Sequence, residues 1–545
     1  MKRKALLTLS SLSLLLLACG TPVVPPSSSS SASSTESSKE ESSSTTPASS
    51  SEQSSSSSEA SSSSEPSPQP SSSSSEPSSQ SSIPSTDGVY NFYCINDFHG
   101  SIVEQMNDNA YEAGIAKLFG RLKKLKSVDP EHNIILSAGD MYQGSLESNS
   151  NLGELITKAM NNAGFDAMTV GNHEFDYGLD PLLNNISKAN FPVLGGNIVK
   201  HDTDIIWNDA VKTSTVLQRG GNKIGIVGMI GYGQTTSISS PIVQDIDFKN
   251  PNNLALSEAA RLREKEGCNI VIYLLHDASS TCAERIHSKT YFDGVFNGHT
   301  HRKEKELNYG VPFVQAGCNG QGISHFQLTV KDGSVTCTNY AIIDSDSDWK
   351  EDEEIAAIRD SYIEEPSFKA KASAVAGTVT GTLYSGEGVP NVAVKAMYEK
   401  YKALHPELVC AMENGQRANL SGEITYHDIY KATPFMNKIV IGKVLGREIE
   451  NEVKYGVSCY RGDNGQFESN KYYTVACIDY VFYHQNEAKY YNYFSSLNTN
   501  FESKIVAEYV DYPFDITFDY IKDTLDGSVN ASDFLNSSPG FGSVS

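Results

Sequence analysis

Between residues 88 and 345, short apolar runs alternate with amphipathic stretches, and five of the runs end on the same kinds of side chain. "VYNFYCI", "NIILSA", "DAMTV", "KIGIVGMI", "CNIVIYLL", "FDGVFN" and "VPFVQA" are rich in β-branched and aromatic residues. They are too short for buried helices and have the length of strands. "AGIAKLFGRLKKLKS" and "NLALSEAARLREKEG" between them carry a helical period. Strand and helix in alternation predict an α/β domain with a largely parallel sheet. "FQLTVKDGSVTCTNYAII" reads as a hairpin turning on Asp-Gly and closing the edge of a sheet.

The residues just after the strands are polar and repetitive. "NFYCI" leads into Asp97 and His99, and "IILSA" into Asp140. "DAMTV" leads into "GNHEFDYG", with Asn172, His173 and Asp176. "IVIYLL" ends at His276, and "GVF" leads into "NGHTH", with His299 and His301. Open α/β sheets bind ligands at the carboxyl ends of their strands. Imidazole, carboxylate and amide oxygen are the donors that borderline and hard divalent cations take. Clustered together and desolvated, these groups cost free energy unless a cation or a reacting anion offsets them. One such strand end is chance, but five in order describe a site.

The two ends of the chain are different material. "MKRKALLTLSSLSLLLLACG" has a basic start, an apolar stretch too short to span a bilayer, and a small residue before Cys19. It reads as a secretory signal over residues 1–18 with a bacterial lipobox, Cys19 becoming the lipidated mature N-terminus. Residues 19–87 are mostly Ser with Pro, Thr and scattered Glu. With so little apolar surface this stretch predicts a disordered tether. The expected location is extracytoplasmic, anchored to the cell membrane by lipid alone. Residues 88–345 form the expected first domain, 346–365 an acidic helical linker, and 366–545 a second domain mixing helices and strands. A formal charge of -23 argues against binding a nucleic-acid polymer, and leaves room for a small phosphorylated ligand beside a metal. The eight cysteines after Cys19 show no CxxC, and several lie within apolar runs, so they are expected to be mostly free buried thiols. Histidines outside the strand-end motifs read as surface or satisfied core residues.

The strand-end motifs, in this order, resemble the calcineurin-like metallophosphoesterases. With the C-terminal half, the chain resembles the 5'-nucleotidase / UDP-sugar hydrolase / 2',3'-cyclic phosphodiesterase family. The resemblance implies an αββα catalytic sandwich followed by an α/β substrate-binding domain. It implies two divalent metal ions, zinc, manganese or similar. One would be held by Asp97, His99 and His301, the other by Asn172, His276 and His299, with Asp140 bridging. Cations about 3.5–4 Å apart need an anion between them, which suits Asp140. By the same resemblance His173 is a non-ligand histidine facing the leaving group, and Asp176 holds its tautomer.

The segment "NGQRANLSGEITYHDIYKATPFMNKIVIGKVLGREI" resembles the family's substrate segment. Arg417 matches the phosphate-binding arginine and Phe435 a base-stacking aromatic acting far from the phosphorus. Three positions depart from the pattern. Met412 stands where the family has a pocket asparagine, although Asn414 is near. Leu383 replaces an upstream arginine. The second stacking aromatic with its Gly-Gly-Asp turn has no counterpart, leaving Tyr483, Tyr491 or Phe494 as substitutes. The expected activity is release of phosphate from nucleotides. A 2',3'-cyclic-nucleotide phosphodiesterase/3'-nucleotidase or a UDP-sugar hydrolase is the alternative enzyme, and a catalytically weak surface-binding lipoprotein the alternative of another class. Oligomeric state is not legible.

Overall fold

The computed structural model describes residues 85–107, 110–283, 290–486 and 488–542. Cys19, the signal segment and nearly all of the Ser-rich stretch lie outside the described residues. Among the described residues no helix is long and apolar enough to cross a membrane.

Residues 88–344 build two large sheets and two small two-stranded ones. The first has seven strands, with β1 (Gly88–Ile95), β2 (Asn133–Ser137) and β3 (Ala167–Thr169) parallel at its centre. The second has six and centres on β4 (Asn222–Ile230), β5 (Ile270–His276) and β6 (Gly294–Asn297), also parallel. The alternation along β1 explains the layering. Tyr90, Phe92 and Cys94 point one way into a core shared with Ile224, Ile272, Phe296 and Val314 of the second sheet. Tyr93 and Ile95 point the other way, into a core capped by the helices Gly114–Val128 and Glu154–Ala163. Phe296 and Phe326 stack across the two sheets with centroids 4.3 Å apart. The helix Pro251–Arg261 covers the outer face of the second sheet through Ala255 and Ala259. Burial of both faces of both sheets is why the strands read as unbroken apolar runs.

The expected hairpin is present. Gly322–Lys331 pairs with Ser334–Asp344 at the edge of the first sheet. Asp332 and Gly333 both have positive φ, the geometry of a two-residue hairpin loop that Asp-Gly favours. The acidic stretch forms the helix Glu353–Ile363, capped by Asp352 and tied by the Lys123 ammonium to Asp352 and Glu354.

Beyond it a five-stranded mixed sheet includes β7 (Leu408–Glu413), β8 (Ile439–Leu445) and β9 (Tyr472–Ile478). The helix Gly388–Leu404 packs Val392, Ala396 and Met397 into the same core. The eight cysteines among the described residues are free, six of them buried. The two halves of the described chain meet through polar contacts. Gln143 and Asn149 donate to the Pro434 carbonyl at 3.0 and 3.2 Å, and His427 pairs with Glu147 at 2.9 Å. His427 is therefore a bridging residue rather than a plain surface histidine.

Candidate active site

Most of the strand-end residues are delivered by sharp turns, whereas His276 is the last residue of β5 itself. Five of them lie on left-handed backbone, with φ of +49° at Asp97, +48° at His99, +55° at Asp140, +73° at His299 and +58° at His301. Such conformations cost on the order of 1–3 kcal/mol each for a non-glycine residue and persist where the surroundings enforce them. They turn side chains from several strands towards one point. Gly171 leaves room for the convergence, since a Cβ there would lie 2.2 Å from Asp140 Oδ1.

The seven expected ligands come together in two groups. Asp97, His99 and His301 offer donor atoms within 4.8 Å of one another, and so do Asp140, His276 and His299. Asn172 joins the second group, its Oδ1 lying 3.2 Å from His276 Nε2 and 3.0 Å from His299 Nδ1. Asp140 stands between the groups, with Oδ2 3.1 Å from His276 Nε2 and 4.0 Å from His99 Nε2. A third cluster, His99, Asp140 and His173, connects the first two.

The residues fit a pair of divalent cations. His276 Nδ1 is 2.8 Å from the Ala138 carbonyl and His99 Nδ1 is 3.1 Å from the Gln143 carbonyl. Carbonyls can only accept, so both rings donate from Nδ1 and turn Nε2 into the site, where it can carry a proton or meet a cation. His99 and His301 Nε2 lie only 2.9 Å apart. Asp140 Oδ2 is buried, and the imidazole nitrogens of His276 and His99 face it at 3.1 and 4.0 Å. Imidazole nitrogens turned on one another and on a buried carboxylate are stable together around positive charge.

The electrostatics agree in direction. Burial pushes the Asp140 carboxyl up, but His276, His173 and His99 more than reverse this and hold it well below the usual carboxylate range. Burial would lower His276, and the Asp140 charge overrides it, raising the imidazole to about 9. Asp97 is raised, chiefly by burial.

His173 is beside the ligands and differently held. Its Nδ1 lies 2.7 Å from Asp176 Oδ2, and its backbone N–H donates to Asp140 Oδ1 at 2.8 Å. Burial raises Asp176, partly offset by His173. The Asp176 carboxylate fixes the proton on Nδ1 and leaves Nε2 to face a ligand.

Glu174 is a residue that sequence reasoning passed over. Its fully buried carboxylate accepts from the amides of Asp140 (2.7 Å), Met141 (2.6 Å), Tyr142 (3.3 Å) and Gly171 (2.7 Å). Burial and then the Asp140 charge push it up to about 7, while the Gly171 and Met141 amides pull it down. It staples the Asp140 loop to the Asn172 turn. The signal was its place inside "NHEFD", where an acidic residue between two functional ones reads as a ligand or nothing.

The second half supplies a cleft beside this centre. The Phe435 ring has its centroid 6.3 Å from that of the His173 imidazole and 5.0 Å from the Arg417 guanidinium. Phe435, expected to act on the base, thus sits beside His173, and the hydrogen bonds from Gln143 and Asn149 to the Pro434 carbonyl hold its loop there. Asn414 lines the same cleft with Phe435. Leu383 and Met412 are fully buried in the apolar core. None of the three proposed substitutes for the second aromatic lines that cleft. Phe494 is fully buried, Tyr491 stacks on Phe501 at 5.1 Å, and the Tyr483 hydroxyl is tied to Glu508.

Comparison with known proteins agrees with this geometry. Residues 90–303 match the calcineurin-like phosphoesterase family, and residues 375–467 match the 5'-nucleotidase C-terminal domain. The chain is a calcineurin-like metallophosphoesterase carrying a 5'-nucleotidase C-terminal domain. It is 34% identical over 243 residues to an apyrase of Tabanus yao, covering 41% of this chain and 42% of that one. It is 24% identical over 452 residues to a probable 5'-nucleotidase of Treponema pallidum (strain Nichols), covering 68% and 75%. The chain thus spans less than half of the first relative and three-quarters of the second. In fold it is similar to a 5'-nucleotidase precursor from Thermus thermophilus, with TM-score 0.65, 18% identity, and coverage of 81% and 97%. This metallophosphoesterase places the family's αββα sandwich first and its α/β C-terminal domain second.

Proposed function

We propose that this metallophosphoesterase is an extracytoplasmic, lipid-anchored phosphohydrolase that releases phosphate from nucleotides with two divalent metal ions. The observation that carries the reading is the placement of Phe435, with Arg417 over its ring, against the His173–Asp176 pair, beside two ligand groups with Asp140 between them. Asp97, His99 and His301 would hold one cation, Asn172, His276 and His299 the other, and the Asp140 carboxylate both. Such a pair supplies Lewis acidity towards phosphoryl oxygens and a nucleophile from water at neutral pH.

The chain's own groups do the rest. Asp140 places negative charge between like charges, and Glu174 holds the loop that carries it. His173, with Nδ1 engaged by Asp176, presents Nε2 to the leaving oxygen and stabilises the charge that develops there. Arg417 binds phosphate oxygens with a planar fork of donors. Phe435 offers a face for a base to stack on. The Ser-rich stretch between Cys19 and the sandwich would hold the enzyme away from the membrane.

The test is a phosphate-release screen over nucleoside monophosphates, 2',3'-cyclic nucleotides and UDP-sugars, with metal content measured on the same protein. Two metal ions per chain and highest kcat/KM on nucleoside monophosphates support the reading. Preference for the cyclic or sugar nucleotides would replace it with the corresponding alternative, and bound nucleotide without turnover would make the chain a surface-binding protein. Localisation is tested with Cys19→Ser, which should leave the membrane fraction. Fractionation unchanged from the parent would remove the lipid anchor from the proposal.

A further inference from the structure

β7 delivers Glu413 at its last position, paired across the sheet with Ser458. The side chain is 2% exposed, yet it lines the cleft formed with Asn414, Gly415, Gln416, Phe435 and Asn437. Its Oε1 accepts from the Gln416 amide, and its Oε2 has no hydrogen-bond partner among the described residues. A buried carboxyl with one oxygen unused is unfavourable by itself, and the fold does nothing else to satisfy it. Burial, only partly offset by Gln416, pushes its pKa up to about 8, which favours the protonated form over the carboxylate. With Oε1 already accepting, the proton belongs on Oε2, which becomes a donor without an acceptor.

We propose that Glu413 is a specificity-determining residue, donating a hydrogen bond from Oε2 to an acceptor atom, a ring nitrogen or carbonyl oxygen, of a nucleobase held against Phe435. The inference rests on the nucleotide reading above and adds the group that recognises the base by hydrogen bonding, where Phe435 offers only a face. A ring face accepts any flat group, whereas a buried donor rejects a ligand that leaves it unpaired. Gly415, with φ of +101°, passes so close to Phe435 that a Cβ would lie 3.1 Å from the ring, which packs the ring against the loop after Glu413.

The experiment compares three substrates of the metal-loaded enzyme: a nucleoside monophosphate, ribose 5-phosphate and p-nitrophenyl phosphate. Glu413→Met keeps the volume and removes the donor. It is expected to lower kcat/KM for the nucleoside monophosphate about 10–100-fold, mostly through KM, and to leave the other two within about 3-fold. Glu413→Gln can turn its amide so that an N–H replaces the O–H, and should stay within about 3-fold of the parent on all three. Because Glu413→Met removes an unsatisfied buried group, its Tm should equal or exceed the parent's. An equal fall on all three substrates, or an unchanged KM for the nucleotide, would overturn the proposal. If the parent turns over ribose 5-phosphate and p-nitrophenyl phosphate but no nucleoside monophosphate, the nucleotide reading itself is wrong and this inference goes with it.

Discussion

The half that carries the ligand groups and the half that carries the cleft are built in opposite ways. In the first, every ligand candidate sits at or just beyond the end of a buried strand, so sheet register fixes where its Cα lies. In the second, Asn414 and Arg417 lie on the irregular stretch 414–419 and Phe435 on 434–438. Strand ends tolerate little movement because both faces of the sheets are packed. The Phe435 loop takes its position from Gln143 and Asn149 of the other half, whereas the 414–419 stretch is tied within its own half by the Arg417 N–H, which donates to the Ala432 carbonyl at 2.8 Å. The ligand groups are thus held by their own scaffold, and the Phe435 side of the cleft by its neighbour.

Substitutions can separate these dependences. The largest effect is expected for Asp140→Asn, which removes the negative charge between the two ligand groups. At least one metal should be lost and kcat/KM should fall by about three orders of magnitude or more. Metal analysis showing two ions with near-normal turnover would sink the bridging role. Next, His173→Ala should lower kcat by roughly 10²–10⁴ while both metals remain, since the imidazole lies beside the ligands without belonging to either of the two main groups. Metal loss in that variant would instead make His173 a ligand, as its cluster with His99 and Asp140 allows.

Glu174→Gln tests whether the scaffold alone positions Asp140. The amide would set its NH₂ against two backbone N–H groups, and metal affinity should drop about 10–100-fold. Unchanged affinity would mean the turns hold themselves. Phe435→Ala should cost about 1–3 kcal/mol in kcat/KM for a nucleoside monophosphate. Because the ring also packs on His173, p-nitrophenyl phosphate should fall too, by about 3-fold. An equal loss on both would make Phe435 a support for the imidazole and no more.

The smallest effect concerns the seam. His427 is raised, first by its hydrogen bond to Glu147, and Glu147, although pushed up by burial, is held low by the same partner. A raised histidine stabilises most below its ordinary value and loses that contribution as pH rises through the folded one. With its side chain 38% exposed, His427 should contribute at most about 0.5 kcal/mol. Parent and His427→Ala should therefore differ slightly in Tm near pH 6 and coincide near pH 9. A gap that persists at the higher pH would assign the effect to packing.

The same contrast decides what could be read from the sequence. Asp97, Asp140, Asn172 and His276 were legible because strand, turn and donor type coincide within a few residues. The hairpin was legible because Asp-Gly demands one turn geometry. Glu174 was not, since its work is done through four backbone amides that only the folded loops bring together. Phe435 could be matched to its motif, but its nearness to His173 depends on contacts between residues almost three hundred positions apart, such as Asn149 and Pro434. Tyr483, Tyr491 and Phe494 failed as stacking candidates because composition gives no sign of which aromatic faces a cleft and which fills a core.

The pairing of His99 with His301 spans 202 positions of chain. Loop closure over that distance is costly and slow, and nothing local rewards it before both sheets have closed. Cations can therefore bind only to a nearly finished fold and cannot seed it, unlike ions held by ligands close together in sequence. Their stabilisation enters after the folding transition state, so it should appear in how slowly the enzyme unfolds. A chelator added to the folded protein is then expected to speed unfolding and leave the refolding rate unchanged, and a chain exported as proposed would have no use for metal until His301 had crossed the membrane.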